Sequence, residues 1–137
     1  MFGKSYLLDL YNCKKGVCDD MEVHYRFLEN LIYVLKMQQM STPVVIHAPV
    51  KITNGPNGLE KQEIYADKAG ISCWCALVTS GIQIHSVEPK NFSSIDIYTC
   101  GPLGEEEMGA AKQLIYDTFC PSYIEERLVE RGSEYVH

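Results

Sequence analysis

Apolar and polar residues alternate along most of this chain, whereas two stretches repeat their apolar residues every three or four positions. Alternation with β-branched and aromatic residues predicts strands at 6–11, 44–47, 71–78, 82–85 and 94–100. The three- and four-residue repeat predicts one helix from the Asp19-Asp20 cap to about Gln39, and a second over Glu105–Phe119. A last edge strand is expected between Tyr123 and Val136.

The order of these elements is β-α-β-β-β-β-α-β, and short turns join the three strands between residues 71 and 100. Such an order predicts an α+β fold, an antiparallel sheet with helices on one face. The run Asn54-Gly-Pro-Asn-Gly58 is the strongest loop signal, so residues 51–69 are expected to form a long excursion. A chain of 137 residues is the size of one domain, so we predict a single domain, residues 1–137.

Charge and composition narrow the classes of function. A net charge of -6 argues against nucleic acid as a partner, since such binders cluster Lys and Arg. The sequence has neither an apolar run of roughly 18 residues nor a signal-peptide pattern, so we expect no membrane contact and a cytoplasmic protein. The six cysteines are then expected to be reduced, and their spacing does not suit a metal site.

Candidate chemistry concentrates in the strands after residue 71. Ser80 lies at a Thr79-Ser80-Gly81 turn, His85 follows on the strand that leaves it, and Cys100 ends the neighbouring strand. Each of these side chains can move a proton or attack a carbonyl. A serine hydrolase is disfavoured because the chain has no Gly-x-Ser-x-Gly elbow. Spacing alone also allows a turn serine with a packed histidine and cysteine, and His24 and His47 are expected to be structural.

The register of these residues resembles that of the prokaryotic S-adenosylmethionine decarboxylase proenzymes. The matching segments are Ser80-Gly-Ile-Gln-Ile-His85 and Ile95-Asp-Ile-Tyr-Thr-Cys-Gly101. Similarity continues in Tyr6-Leu-Leu-Asp-Leu-Tyr-Asn-Cys13, in Gly70-Ile-Ser72 and in Arg131-Gly-Ser-Glu-Tyr135, so the resemblance covers the whole chain.

The resemblance implies a self-processing decarboxylase with that family's sandwich fold. Ser80 would attack the Thr79 carbonyl, and the chain would break into a β-chain, residues 1–79, and an α-chain, residues 80–137. The α-chain would begin with a pyruvoyl cofactor derived from Ser80, whose ketone is an electron sink for the departing CO2. Ser72 and His85 would assist processing, and Cys100 would protonate the product. The family further implies a homodimer and S-adenosylmethionine as the substrate, for spermidine synthesis.

Several positions depart from the family's pattern and leave other functions open. Thr79 and Gly81 stand where the family usually has Glu and His, and Glu88-Pro89 replaces Pro-Glu. Tyr65 is adjacent to the position of an adenine-stacking aromatic residue, so Tyr65 and Glu88 are the substrate-binding candidates. One alternative is a pyruvoyl-dependent decarboxylase of another cationic amino acid, ornithine or arginine. The other is an unprocessed homologue that binds a ligand without catalysis.

Overall fold

The computed structural model describes residues 2–48 and 69–135, and its elements follow the predicted order. The strands are β1 (Gly3–Tyr11), β2 (Val44–Ala48), β3 (Gly70–Leu77), β4 (Ser80–Val87), β5 (Phe92–Thr99) and β6 (Tyr123–Arg131). The helices are α1 (Met21–Val34) and α2 (Glu105–Phe119). Two short 3-10 helices, Val17–Asp19 and Glu88–Lys90, complete the described elements.

The six strands form one antiparallel sheet in the order β2-β3-β4-β5-β1-β6. Strands β3, β4 and β5 are the predicted meander, and β1 inserts between β5 and the edge strand β6. The register places Ser72 opposite His85 in the β3–β4 pair and Ser80 opposite Thr99 in the β4–β5 pair. These two cross-strand pairs organise the candidate site.

The core lies between one face of the sheet and the two helices, which confirms the predicted α+β fold. Successive strand residues point to opposite faces, so alternate positions are buried under the helices. The core residues that are at most 2% exposed include Leu8, Leu10, Ile82, Ile84, Ile95, Ile97, Phe27, Leu31, Ile115 and Phe119. Cys73 and Cys75 belong to the same face, as their spacing predicts. The other face of the sheet carries no helix among the described residues.

Helix α1 begins where the sequence predicts but ends earlier. The Asp20 side chain accepts a hydrogen bond of 3.0 Å from the Val23 N–H, which caps the helix. The expected end near Gln39 is wrong, because Lys36 has a φ of 57° and the chain turns there. Gln39 then forms an isolated bridge with Leu77 of β3. The residues after Lys36 therefore pair with the sheet, although the helical repeat in the sequence continues.

A chain of buried polar side chains runs beneath α1. His24 Nδ1 donates to the Asp20 carbonyl oxygen at 2.8 Å, so His24 Nε2 can accept from the Ser86 hydroxyl at 2.6 Å. The Ser86 and Ser93 hydroxyls are 2.9 Å apart. Burial lowers the pKa of His24, against a smaller raising effect from Asp20. The expectation that His24 is structural agrees with this fully enclosed position.

Within the described residues, no helix is both long and apolar enough to cross a membrane.

Candidate active site

The turn between β3 and β4 contains only Val78 and Thr79, and Ser80 is already the first residue of β4. Thr79 has a φ of 58°, in the left-handed region. This region costs an L-residue about 1–2 kcal/mol, and a β-branched side chain fits it poorly. The Thr79 hydroxyl donates to the Val78 carbonyl oxygen at 2.7 Å. The peptide bond between Thr79 and Ser80 therefore follows a strained residue in a two-residue turn.

The side chain of Ser80 is held by the opposite strand. Its hydroxyl donates to Thr99 Oγ1 at 2.9 Å. Thr99 is itself buried and anchored, because its Oγ1 accepts from the Gly101 N–H at 3.1 Å and donates to the Gly101 carbonyl oxygen at 3.4 Å. The Ser80 oxygen is thus oriented by a hydroxyl that is itself held by two hydrogen bonds to the Gly101 backbone.

Cys100 contributes its backbone as well as its thiol. The Cys100 N–H donates a hydrogen bond of 3.0 Å to the Thr79 carbonyl oxygen. An N–H group in this position stabilises negative charge on that oxygen when a nucleophile attacks the carbonyl carbon. The structure therefore brings the Cys100 backbone to the Thr79–Ser80 bond, whereas the Cys100 thiol lies beside Tyr98 on the open face, opposite to the face that carries the Ser80 hydroxyl.

Ser72 and His85 form a second group, away from Ser80. His85 Nδ1 and the Ser72 hydroxyl are 2.8 Å apart, across β3 and β4 on the open face. His85 is five residues from Ser80 on β4, which corresponds to roughly 16 Å along a strand. An odd spacing also puts the two side chains on opposite faces of the sheet. Within one protomer, the expected single cluster of serine, imidazole and thiol is therefore not formed. The Ser80 hydroxyl lies on the helix-covered face, whereas His85 and the Cys100 thiol lie on the open face, towards different ends of the strands. The odd spacing of Ser80 and His85 was the signal for this separation.

The two substrate-binding candidates are not close to Ser80. Glu88 begins a 3-10 helix at the opposite end of β4, where its N–H donates to the Ala69 carbonyl oxygen at 2.8 Å. Tyr65 lies outside the described residues.

The open face of the sheet contains a cavity of about 610 Å³ that reaches the β3–β4 hairpin. Its lining includes Trp74, Ala76, Gly81, Gln83, Asp96 and Tyr98. Burial, followed by the nearby Asp9 carboxylate, raises the pKa of Asp96. The cavity therefore combines aromatic surface with a carboxyl group, beside the residues at the turn.

The sequence did not single out three residues that the structure places around Ser80 and the Cys100 thiol. Thr99 holds Ser80, the Tyr98 phenol oxygen lies 3.4 Å from Cys100 Sγ, and the Arg131 guanidinium lies 5.8 Å from the Tyr98 ring centroid. Thr99 and Tyr98 are part of the Cys100 motif, but nothing in their spacing marks them. Arg131 reaches the site only because β6 pairs with β1.

Comparison with known proteins places these residues in a family context. A family profile described as S-adenosylmethionine decarboxylase matches residues 4–132. The S-adenosylmethionine decarboxylase proenzyme of Persephonella marina is 38% identical over 135 residues, which cover 98% of this chain and 86% of the relative. The S-adenosylmethionine decarboxylase proenzyme 2 of Bacillus anthracis is 27% identical over 131 residues, covering 96% of this chain and 89% of the relative.

The fold also has a counterpart among solved structures. The crystal structure of the adenosylmethionine decarboxylase from Aquifex aeolicus VF5 matches with a TM-score of 0.69 and 21% sequence identity. The match covers 96% of this chain and 91% of that one. It supports the six-stranded antiparallel sheet with two helices described above.

Proposed function

This chain belongs to the S-adenosylmethionine decarboxylase family, and on that premise we propose that it is a self-processing, pyruvoyl-dependent decarboxylase of S-adenosylmethionine. Such an enzyme would supply decarboxylated S-adenosylmethionine for spermidine synthesis. The observation that carries the proposal is the Thr79–Ser80 peptide bond, which has the Ser80 hydroxyl on one side and the Cys100 N–H on its carbonyl oxygen.

Self-processing begins with the Ser80 oxygen attacking the Thr79 carbonyl carbon. The new C–O bond replaces the C–N bond, and the Ser80 nitrogen gains the proton that the hydroxyl loses. The Cys100 N–H donates to the Thr79 carbonyl oxygen and stabilises the negative charge that develops there. The attack is also favoured because it relieves the backbone strain at Thr79. Loss of the Ser80 α-proton then expels the Thr79 carboxylate, and water replaces the nitrogen of residue 80 as ammonia departs.

These steps produce a β-chain of residues 1–79 and an α-chain of residues 80–137 that starts with the pyruvoyl group. The residues present suit this cofactor, because the serine it derives from is placed at the scissile bond with its hydroxyl oriented. Once formed, the group would supply a ketone, the electron sink that decarboxylation of an amino acid requires.

Cys100 is the residue that we assign to protonate the product. Its thiol lies two residues beyond Tyr98 on the open-face side, and its backbone is already hydrogen-bonded to the scissile turn. A positioned thiol can act as a general acid that donates its proton to carbon. Ser80 therefore supplies the cofactor and Cys100 the proton.

The separation of the Ser72–His85 pair from Ser80 points to a homodimer in which this pair serves the partner's scissile bond. One protomer cannot bring His85 to its own Ser80 without breaking β4. The pair lies on the open face, which also exposes Trp74 and Val129, with 42% and 41% of their surfaces accessible. A second copy that covers this face would bury apolar surface and carry His85 towards the other turn.

The substrate-binding candidates fit the same arrangement. Glu88 follows His85 by three residues, so a partner that brings His85 to Ser80 also brings a carboxylate suited to a cationic substrate. Tyr65 remains the candidate for stacking on adenine, by the family's pattern alone.

The other functions left open by the sequence receive no support from the relatives. The two proenzymes named above carry S-adenosylmethionine decarboxylase in their names, so neither favours ornithine, arginine or a non-catalytic role.

An intact-mass spectrum of freshly purified wild-type protein tests the proposal. We expect two chains that divide between Thr79 and Ser80, the second blocked by a pyruvoyl group. CO2 release from carboxyl-labelled S-adenosylmethionine, ornithine and arginine then identifies the substrate. A single chain that persists through long incubation would contradict the proposed function.

A further inference from the structure

Tyr98 is the side chain that contacts the Cys100 thiol. Its phenol oxygen lies 3.4 Å from Cys100 Sγ, a normal length for a hydrogen bond to sulfur, in which either atom can be the donor. Residues two apart on a strand share a face, so the end of β5 presents the phenol and the thiol side by side. The described structure therefore gives Cys100 a partner that can accept from the thiol and donate to the thiolate.

The surroundings of Tyr98 hold the phenol in this place. A side chain at residue 3 would put its Cβ 2.9 Å from the Tyr98 hydroxyl and 3.0 Å from the Thr99 carbonyl oxygen, so Gly3 makes the room that the phenol occupies. The Arg131 guanidinium lies over the Tyr98 ring, 5.8 Å from its centroid, and donates to the Ser5 hydroxyl at 3.3 Å. The position of the phenol is therefore constrained from β1 and from β6.

Few charged groups face this pair. The cross-strand neighbours of Tyr98 are Gly81 on β4 and Ser5 on β1, which do not titrate, while Arg131 approaches from β6 and Asp96 precedes on β5. The hydrogen bond to Cys100, then burial and the Cys100 charge, raise the pKa of Tyr98, and Arg131 opposes them. The phenol thus stays protonated and available as a donor.

We propose that Tyr98 is a positioning residue for the proton donor, which orients the Cys100 thiol before proton transfer and stabilises the thiolate afterwards. This inference rests on the proposed role of Cys100. The thiol hydrogen passes to the substrate carbon, which keeps the electron pair of the broken bond to CO2. The remaining thiolate accepts a hydrogen bond from the phenol until a proton from water restores the thiol.

The first test measures the thiol without any catalysis. In Ser80→Ala protein, which keeps one chain, iodoacetamide labels Cys100 and the exposed Cys120, and peptide masses separate the two. Removing the phenol donor in Tyr98→Phe lowers the thiolate fraction more than it raises thiolate reactivity, so Cys100 labelling at pH 7 should slow about threefold. Labelling of Cys120 should not change. An unchanged or faster Cys100 rate would overturn the assignment.

The second test uses the processed enzyme. Because hydrogen bonds to charged groups are stronger than neutral ones, Tyr98→Phe should lower kcat about tenfold and leave KM within about twofold. Protonation at the α-carbon of residue 80 instead of the substrate carbon should increase. This side reaction converts residue 80 to alanine, which is visible in the α-chain mass. Tyr123→Phe, which removes an exposed phenol hydroxyl elsewhere on the sheet, is the control.

Two further outcomes separate the inference from the proposed function. Wild-type protein that cleaves but releases no CO2 from S-adenosylmethionine would contradict the function, while the labelling comparison would still decide the role of Tyr98. Tyr98→Phe protein that is cleaved more slowly, with unchanged kcat after cleavage, would place the phenol in support of the turn and overturn its role at the thiol.

Discussion

The backbone N–H of Cys100 lies 3.0 Å from the carbonyl oxygen of Thr79, the residue whose peptide bond to Ser80 is the proposed cleavage site. In the proposed function, one residue of the chain thus contributes to two different steps, with its backbone in processing and its thiol in decarboxylation. Because a substitution changes the side chain and keeps the N–H, the two contributions can be separated experimentally.

Replacing Cys100 by Ala should preserve cleavage and remove most of the decarboxylase activity. The N–H that holds the Thr79 oxygen remains, whereas loss of a general acid typically costs roughly 10²–10⁴-fold in rate. Intact mass measures the cleavage, and released CO2 measures the turnover. Full activity in this variant would show that the thiol is not the proton donor.

Thr99 offers a matched pair of substitutions for the cleavage step. Thr99→Val keeps the buried volume but removes the acceptor of the Ser80 hydroxyl, so cleavage should slow about tenfold. Thr99→Ser keeps the hydroxyl and should cleave close to the wild-type rate. The time course of chain separation in a denaturing gel compares them, with Ser80→Ala as the uncleaved reference. Equal rates for the valine and serine variants would exclude this role for Thr99.

Mixed dimers test whether Ser72 and His85 act on the partner subunit. Neither Ser80→Ala nor His85→Ala protein should be cleaved efficiently alone. When the two are co-expressed with different tags, a heterodimer joins an intact Ser80 to the partner's intact His85. Random pairing makes about half of all dimers heterodimers, so about half of the His85→Ala chains should be cleaved. Cleavage no greater than in His85→Ala protein alone would indicate that the pair does not act between subunits.

His24 should make the stability of the protein depend on pH. Its pKa in the folded state is below the unfolded value of about 6.5, so the unfolded chain binds the proton more readily. The stabilising contribution of neutral His24 is complete above about pH 6.5 and is lost as the pH falls towards the folded-state pKa. As the pH is lowered from 8 to 5, the free energy of unfolding measured with denaturant should decrease more steeply for wild type than for His24→Gln. If the free energy of unfolding depended on pH in the same way in both proteins, groups other than His24 would be responsible.

Relief of the strained turn should affect both the stability of the uncleaved chain and the rate of processing. Glycine adopts positive φ without steric cost, so Thr79→Gly should raise the free energy of unfolding of the uncleaved Ser80→Ala protein by about 1 kcal/mol. In an otherwise wild-type chain the same substitution should slow cleavage, because less strain is released on attack. Thr79→Ala, which keeps a Cβ, serves as the control. A faster-cleaving glycine variant would contradict a role for strain.

Sequence alone determined the elements, their order and the motif, since these depend on local patterns. Alternation and helical repeats follow from backbone geometry over a few residues, and helix α2 coincides with the predicted Glu105–Phe119. The end of α1 was predicted wrongly, because pairing of Gln39 with Leu77 is a contact between distant segments.

Tertiary structure alone decided which chemical groups meet. The contacts of Ser80 with Thr99 and of Thr79 with Cys100 depend on the β4–β5 register, and Arg131 reaches Tyr98 across β1. A spacing of five residues identified His85 in the motif, yet the pleat of one strand places His85 on the opposite face from Ser80. Local patterns constrain the backbone along the chain, whereas chemistry between side chains needs distances across strands, which only the assembled sheet supplies.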